Sequence, residues 1–278
     1  MGLIVDIFID SLVDVIKLLP FLFLTYLFLE WLEQSAGHSF ESLLEKNHRF
    51  GPIIGGVLGI VPSCGFSSAA ASLYTTHIIS AGTLIAIYLS TSDEMLSIMI
   101  SRQVPLRTIA PILGIKVVVA IIGGMIAEIF ASHPKPNIDE FCEREHDTHS
   151  HGILHSAIQH TIQIFIWLFI ITFVFNGIVQ LIGEDTIVQF VNNHQNSSVL
   201  VCTFVGMVPS CASSILLTTM YLDNIIPFAS LCAGLLANAG TGMLVLFRVN
   251  PKIKDNIKII SYVWVISLIA GFIIQLLI

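Results

Sequence analysis

Eight stretches of this chain, at roughly 8–30, 51–75, 78–100, 107–130, 153–182, 197–221, 225–247 and 258–278, are apolar and close to the ~20 residues that a helix needs to cross a bilayer. No other feature narrows the fold as much, because backbone in hydrocarbon must satisfy its own hydrogen bonds and helices do so within one segment. Of the 278 residues, 55% are hydrophobic and 11% charged, where a water-soluble domain carries roughly 25% charged residues. The expected class is an all-α polytopic membrane protein with 8–10 membrane segments, placed in the cell (inner) membrane. Asp6, Asp10, Asp14 and Lys17 lead into the first apolar run, which reads as a retained helix rather than a cleavable leader. The net charge of −7 argues against a nucleic-acid partner. The five cysteines form no CxxC and no disulfide framework, so free thiols are expected.

The chain repeats itself. Gly-x-Val-Pro-Ser-Cys occurs at Gly59–Cys64 and again at Gly206–Cys211, 147 residues on. From Gly59 to Met99 the sequence aligns without a gap onto Gly206 to Leu246, with identities at Pro62/Pro209, Cys64/Cys211, Ser67/Ser214, Tyr74/Tyr221, Ile78/Ile225 and Leu84/Leu231. Weaker correspondence reaches the flanking helices, where Asp14 faces His160, Glu30 faces Asn176 and Gly124 faces Gly271. Three regions follow: repeat 1 over 1–131, a hydrophilic linker over 132–152, and repeat 2 over 153–278. Duplicated halves with Gly/Pro-interrupted segments in matching places are the sequence mark of secondary transporters, whose sites lie near the midplane. If every segment spans, the repeats are parallel and the basic loops share one side. If the two VPSC segments are re-entrant hairpins, each half crosses three times and the repeats are inverted, with Arg102 and Arg107 outside. The reading leans to inversion.

Three places can carry chemistry. Proline suits the first turn of a helix and disfavours helix before it, so the chain should break at Ile60–Pro62 and restart around Ser63–Phe66, with Ser210 and Cys211 as the second copy. Each restart offers free N–H groups, a hydroxyl and a thiol that a helix N-terminus can activate; the plainer reading is a kinked helix with a small buried Cys. The second place is Leu89–Leu96, LSTSDEML, where Asp93 and Glu94 follow Ser90, Thr91 and Ser92 within an apolar run. Intramembrane carboxylates are expensive and read as functional, although Ser92 or Asp93 also suits a helix cap. The aligned stretch in repeat 2 is Leu236–Leu244, with Asn238 and Thr241 but no carboxylate. One half would hold the charge, the other neutral oxygens. Lys116, Asp14, His160 and Glu30 are candidate coupling or gating groups, with snorkelling the plainer reading for Lys116. The third place is the linker, where Cys142, Glu143, Glu145, His146, Asp147, His149, His151 and His155 read as a loose metal-collecting tract or a solvated acidic loop.

GPIIGGVLGIVPSCGFSSAAASLY with LSTSDEMLSIMIS, and VPSCASSILLTTMYLDNIIPFASLCAGLLANAGTG, resemble the heavy-metal exporters described as arsenic efflux proteins or manganese transporters, relatives of the ArsP-type permeases. The resemblance covers nearly the whole chain and implies about ten membrane elements, which the eight runs supply if the broken segments count as two. Departures from that pattern fall at Ser63 and at Ala239-Gly240-Thr241. The expected function is secondary-active export of a divalent metal or softer heavy metal, manganese foremost, with Asp93, Glu94, Ser92, Thr91, Cys64, Ser63, Cys211, Ser210, Asn238 and Thr241 as binding residues. Proton antiport through the carboxylates is the natural coupling. The alternatives are an arsenite, organoarsenical or other oxyanion permease using the two helix N-termini, and a thiol-based redox or sensor protein using Cys64 and Cys211. No enzymatic or nucleotide-binding motif is present and no cofactor is expected. The expected partners are lipid, a metal or metalloid substrate and, optionally, further copies of the chain.

Overall fold

The computed structural model describes residues 50–60, 64–91, 94–129 and 198–277, together with scattered positions between 8 and 27 and between 158 and 177. Ten helices lie in the four continuous stretches. In the first half they are α1 (Gly51–Leu58), α2 (Cys64–Thr75), α3 (Ala81–Ser90), α4 (Glu94–Ser101) and α5 (Leu106–Ile129); in the second, α6 (Ser198–Gly206), α7 (Cys211–Leu222), α8 (Phe228–Ala237), α9 (Gly242–Val249) and α10 (Ile253–Leu277). Among the described residues there is no strand. The expected restart after each VPSC falls at the motif cysteine, which is the first residue of α2 and of α7.

Among the described residues four stretches are long and apolar enough to cross a membrane: Ala81–Ser101, Leu106–Ile129, Phe228–Val249 and Ile253–Leu277. Two of them are interrupted, Ala81–Ser101 between α3 and α4 and Phe228–Val249 between α8 and α9. Burial separates the pairs. Within their apolar windows the interrupted stretches are 73% and 94% buried, against 33% for each of the continuous helices. The broken helices therefore form the centre. On α5 and α10, Val118, Ile122, Met125, Ile126, Ile269, Phe272 and Ile273 lie exposed, as suits surfaces that meet lipid.

Small residues set how closely the helices approach. Gly51 lies against Thr83, Gly55 against Thr83 and Ile87, and Gly59 against Ser90, so α1 runs parallel to α3. Gly82 lies against Glu128, Gly124 against Ala86 and Gly123 against Leu89, so α5 runs antiparallel to both. Ser68 and Tyr88 both reach the start of α9, through Thr241 and Gly242. Residues 76–80 then turn the chain from the end of α2 into α3, so α2 runs opposite to α3. Chain that climbs along α3 in α1 thus descends again in α2.

The same contacts recur 147 residues on. Gly51–Thr83 becomes the Ser198–Ser230 hydroxyl pair, Gly55–Ile87 becomes Cys202–Gly234, and Gly124 with Pro52 and Ala86 becomes Gly271 with Val199 and Ala233. The turns match too. His77 after α2 and Asn224 after α7 both take left-handed backbone, with φ of 58° each, and the N–H of the following Ile78 or Ile225 closes onto Leu73 O or Met220 O. Non-glycine residues pay for that conformation, asparagine least. The expected result for His77→Asn is a gain of up to about 1 kcal/mol in thermal unfolding, whereas His77→Val should lose about as much. Burial holds the half-buried His77 imidazole below its ordinary pKa; the Lys252 charge adds to this and Asp255 opposes it. A base depressed on folding contributes stability above its unfolded pKa, near 6.5, that is lost as pH falls towards the folded value. His77→Asn should therefore also flatten the acid side of the stability profile below about pH 6.5.

Candidate functional site at the helix breaks

Both spans break where the chain runs out of good helix formers. α3 ends at Thr91, whose N–H bonds Ile87 O and whose hydroxyl donates to the same oxygen at 2.7 Å. Thr91 then leaves the helical conformation, with φ −53° and ψ 126°, and Glu94 begins α4. α8 ends at Asn238, in extended backbone, and the break closes through Gly240 at φ 56°. Thr91 and Asn238 correspond across the 147-residue offset, and both are buried.

The second-half break is filled by its neighbours. The Asn238 side chain accepts from Gly240 N at 2.8 Å and donates to Ser213 Oγ at 3.2 Å. Thr241 Oγ1 shares a hydrogen bond with Ser68 Oγ at 3.1 Å. Tyr88, fully buried, donates to Gly242 O at 2.8 Å. A Cβ on Gly242 would stand 2.8 Å from the backbone of Ser67, so the first turn of α2 rests directly on this glycine. The neutral groups expected at Asn238 and Thr241 are present, buried and already engaged with protein.

The first-half break lies against α5. Lys116, on α5, has 1% of its surface exposed. Its ammonium donates to Thr91 O, at the end of α3, and to Leu235 O, in the last turn of α8, at 2.8 Å. The snorkelling alternative for Lys116 therefore fails: its charge sits among protein carbonyls. The C-terminal ends of α3 and α8 converge on that ammonium. From this point α4 packs on α7, and Arg102 reaches Asp223 at 3.7 Å where those two helices end; residues 223–227 then turn the chain from α7 into α8, so α4 runs opposite to α8.

Sequence reading missed Leu235, Tyr88, Ser68 and Ser213. Leu235 acts through a backbone carbonyl, which no side-chain pattern announces. The others are single hydroxyls in ordinary apolar company, informative only once α2 is known to rest on α9. Ser210 lies where expected, capping α7 by accepting from Ala212 N at 3.2 Å. Cys64 and Cys211 open their helices, as Glu94 opens α4, but their side chains lie outside the described residues. So do Ser63, Ser92, Asp93, Asp14, His160, Glu30 and the linker positions Cys142, Glu145, His146, His149 and His151. Among the described residues no three His, Cys, Asp or Glu side chains come together. Cys202 and Cys232 are free and buried, as expected of thiols in apolar segments.

Comparison with curated proteins finds no match, and comparison with solved structures finds none. One family model, ArsP_2, described as "Putative, 10TM heavy-metal exporter", matches residues 2–184 and 169–278. Those two matches run through both broken spans, both VPSC copies and the linker, and the helical, multi-span architecture is the one the family's description calls for. The chain belongs to this family of 10TM heavy-metal exporters.

Proposed function

We propose that the chain is a secondary carrier of the cell membrane that exports a divalent or softer heavy-metal cation, manganese foremost, from a site at the first-half break. The observation that carries this reading is the opening of a deeply buried span at Thr91, two residues before Asp93 and three before Glu94. A carboxylate pair at such a point is the cation-binding element that broken-helix carriers use. Hydroxyl, carbonyl and carboxylate oxygens suit Mn²⁺, and a thiolate from Cys64 or Cys211 would move preference towards Zn²⁺ or softer ions. The second-half break, engaged with Ser68, Tyr88 and Ser213, serves as the fixed wall. Proton return through the same carboxylates is the coupling we assign.

The two halves act as inverted repeats. In support, α1 and α2 fold back as a hairpin, α3–α4 and α5 each cross, and α3 and α8 meet end to end. With the first apolar run, each half then has five elements and crosses three times. Rocking one repeat against the other would open the break to either side.

The inverted arrangement also sets the linker's side. Ile129 ends α5 at the face where Lys252, Lys254 and Lys258 open α10, while Arg102, Arg107 and Asp223 lie at the other face. The basic face is cytoplasmic by the positive-inside rule. Cys142, in a chain with its other cysteines replaced, should therefore react with a membrane-impermeant maleimide only in inside-out vesicles. Asp223→Cys should react in right-side-out ones. The opposite labelling would contradict the arrangement.

An oxyanion cargo, arsenite or an organoarsenical, is the second reading, and the observation favouring it is the buried ammonium of Lys116. A panel of metal and metalloid sensitivities in cells lacking the protein, with cellular contents measured directly, decides between the two. Accumulation of Mn²⁺ or another divalent cation is expected. Accumulation of arsenic alone favours the oxyanion, and no abnormal accumulation at all would sink the export reading.

A further inference from the structure

The place of Lys116 is unusual for a lysine in a transporter core. The last carbonyls of a helix carry its negative dipole end and accept hydrogen bonds that no residue of the helix can donate. Two such ends, those of α3 and α8, point into one gap, and in broken-helix carriers half-helix C-termini of this kind coordinate a cation. Here an ammonium fills the gap, donating to Thr91 O and to Leu235 O at 2.8 Å. The residue is buried and hangs from α5, a continuous helix outside both breaks. At the corresponding place on α10 stands Val263, so the device is single.

We propose that Lys116 is a tethered cation that takes turns with the transported cation in one place, the gap between the carbonyl ends of α3 and α8. The proposal rests on the cation reading of the function. In the empty carrier the ammonium balances the two helix ends. An arriving divalent ion takes over those carbonyls and the ammonium withdraws along α5. When the ion leaves, the ammonium returns and closes the gap. Lys116 thereby weakens binding of the ion and hastens its release, and it excludes monovalent cations that cannot displace it. No bond is made or broken; one cation replaces another.

The test uses the full chain, purified and reconstituted, with Mn²⁺ as the probe. Wild type, Lys116→Met and Lys116→Arg are compared for Mn²⁺-dependent rise in unfolding temperature and for KM and turnover of Mn²⁺ export. For Lys116→Met, KM should fall roughly tenfold, within the usual range of a coupling between sites, with turnover falling as well because the ion is no longer expelled. Lys116→Arg should raise KM, since a forked guanidinium holds two carbonyls more firmly. A residue that only ties α5 to its neighbours would lower the unfolding temperature without Mn²⁺ and leave KM where it was. Lys116→Gln keeps a donor, drops the charge and carries the same expectation if the Met variant does not fold. An unchanged or raised KM in the neutral variants, with active wild type, overturns the proposal. Wild type that neither binds nor moves Mn²⁺ or Zn²⁺ overturns the cation reading itself.

Discussion

Gly206→Ala is expected to destabilise the protein by about 3 kcal/mol, the upper end for overpacking a tight contact, and to lower the unfolding temperature in detergent by roughly 10 °C. The reason is local and backbone in origin. A Cβ at Gly206 would overlap the carbonyl oxygen of Gly234 and stand 2.8 Å from its carbonyl carbon. Neither atom can rotate away, so α6 and α8 must separate, and with them the end of α8 that reaches Lys116. Helices in lipid gain little from the hydrophobic effect and depend on such close approach. Gly59, the corresponding residue of the first half, meets the hydroxyl of Ser90, which can turn, so Gly59→Ala should cost less. At Gly114, on α5, a Cβ would meet nothing within 4 Å. Gly114→Ala should be neutral or stabilising by up to about 1 kcal/mol through helix propensity. Thermal unfolding of the three purified variants checks the order; equal effects at Gly206 and Gly114 would contradict the packing described.

Asp93→Asn is expected to reduce export of a divalent cation by roughly 100-fold, as loss of one charged partner at a buried site costs about 3 kcal/mol. Glu94→Gln should act in the same direction. Asn matches Asp in shape and in capping ability, so the fold should persist with an unfolding temperature close to wild type. The pairing of these two readouts separates a ligand from a cap: a residue that only caps would keep both stability and transport as Asn, whereas a ligand loses transport alone. It also separates the cargoes, because an oxyanion carrier relieved of a carboxylate should transport as well as before or better. Metal content of cells expressing each variant at matched levels gives the comparison.

How much of this was legible beforehand differs by feature. The all-α membrane class was plain from eight apolar runs, because hydrocarbon admits few other structures. The VPSC restarts were legible to within a turn, since proline marks where a helix can begin, and α2 and α7 open on Cys64 and Cys211. The breaks at Thr91 and Asn238 could be suspected from runs of hydroxyl, amide and glycine residues. The hairpin of α1 and α2 could only be offered as one of two arrangements. The contacts of Gly51, Gly55 and Gly59 place α1 along α3, and glycine in a membrane helix does not say which neighbour it faces. Lys116 stood out as a charge in an apolar run, but its partners did not. A carbonyl oxygen such as Leu235 O is common to every residue and becomes a site only when two helix ends converge on it. Nor could the pattern say that Tyr88 of one half would close on Gly242 of the other, 154 residues away.

The central claim, that the first-half break binds and passes a divalent cation, is tested most directly with purified protein in liposomes loaded with Mn²⁺. Wild-type vesicles should lose Mn²⁺ at a rate well above protein-free vesicles, the Asp93→Asn vesicles should lose it no faster than protein-free ones, and arsenite-loaded wild-type vesicles should retain their load. Equal Mn²⁺ loss through wild type and Asp93→Asn, or loss of arsenite without loss of Mn²⁺, would contradict it.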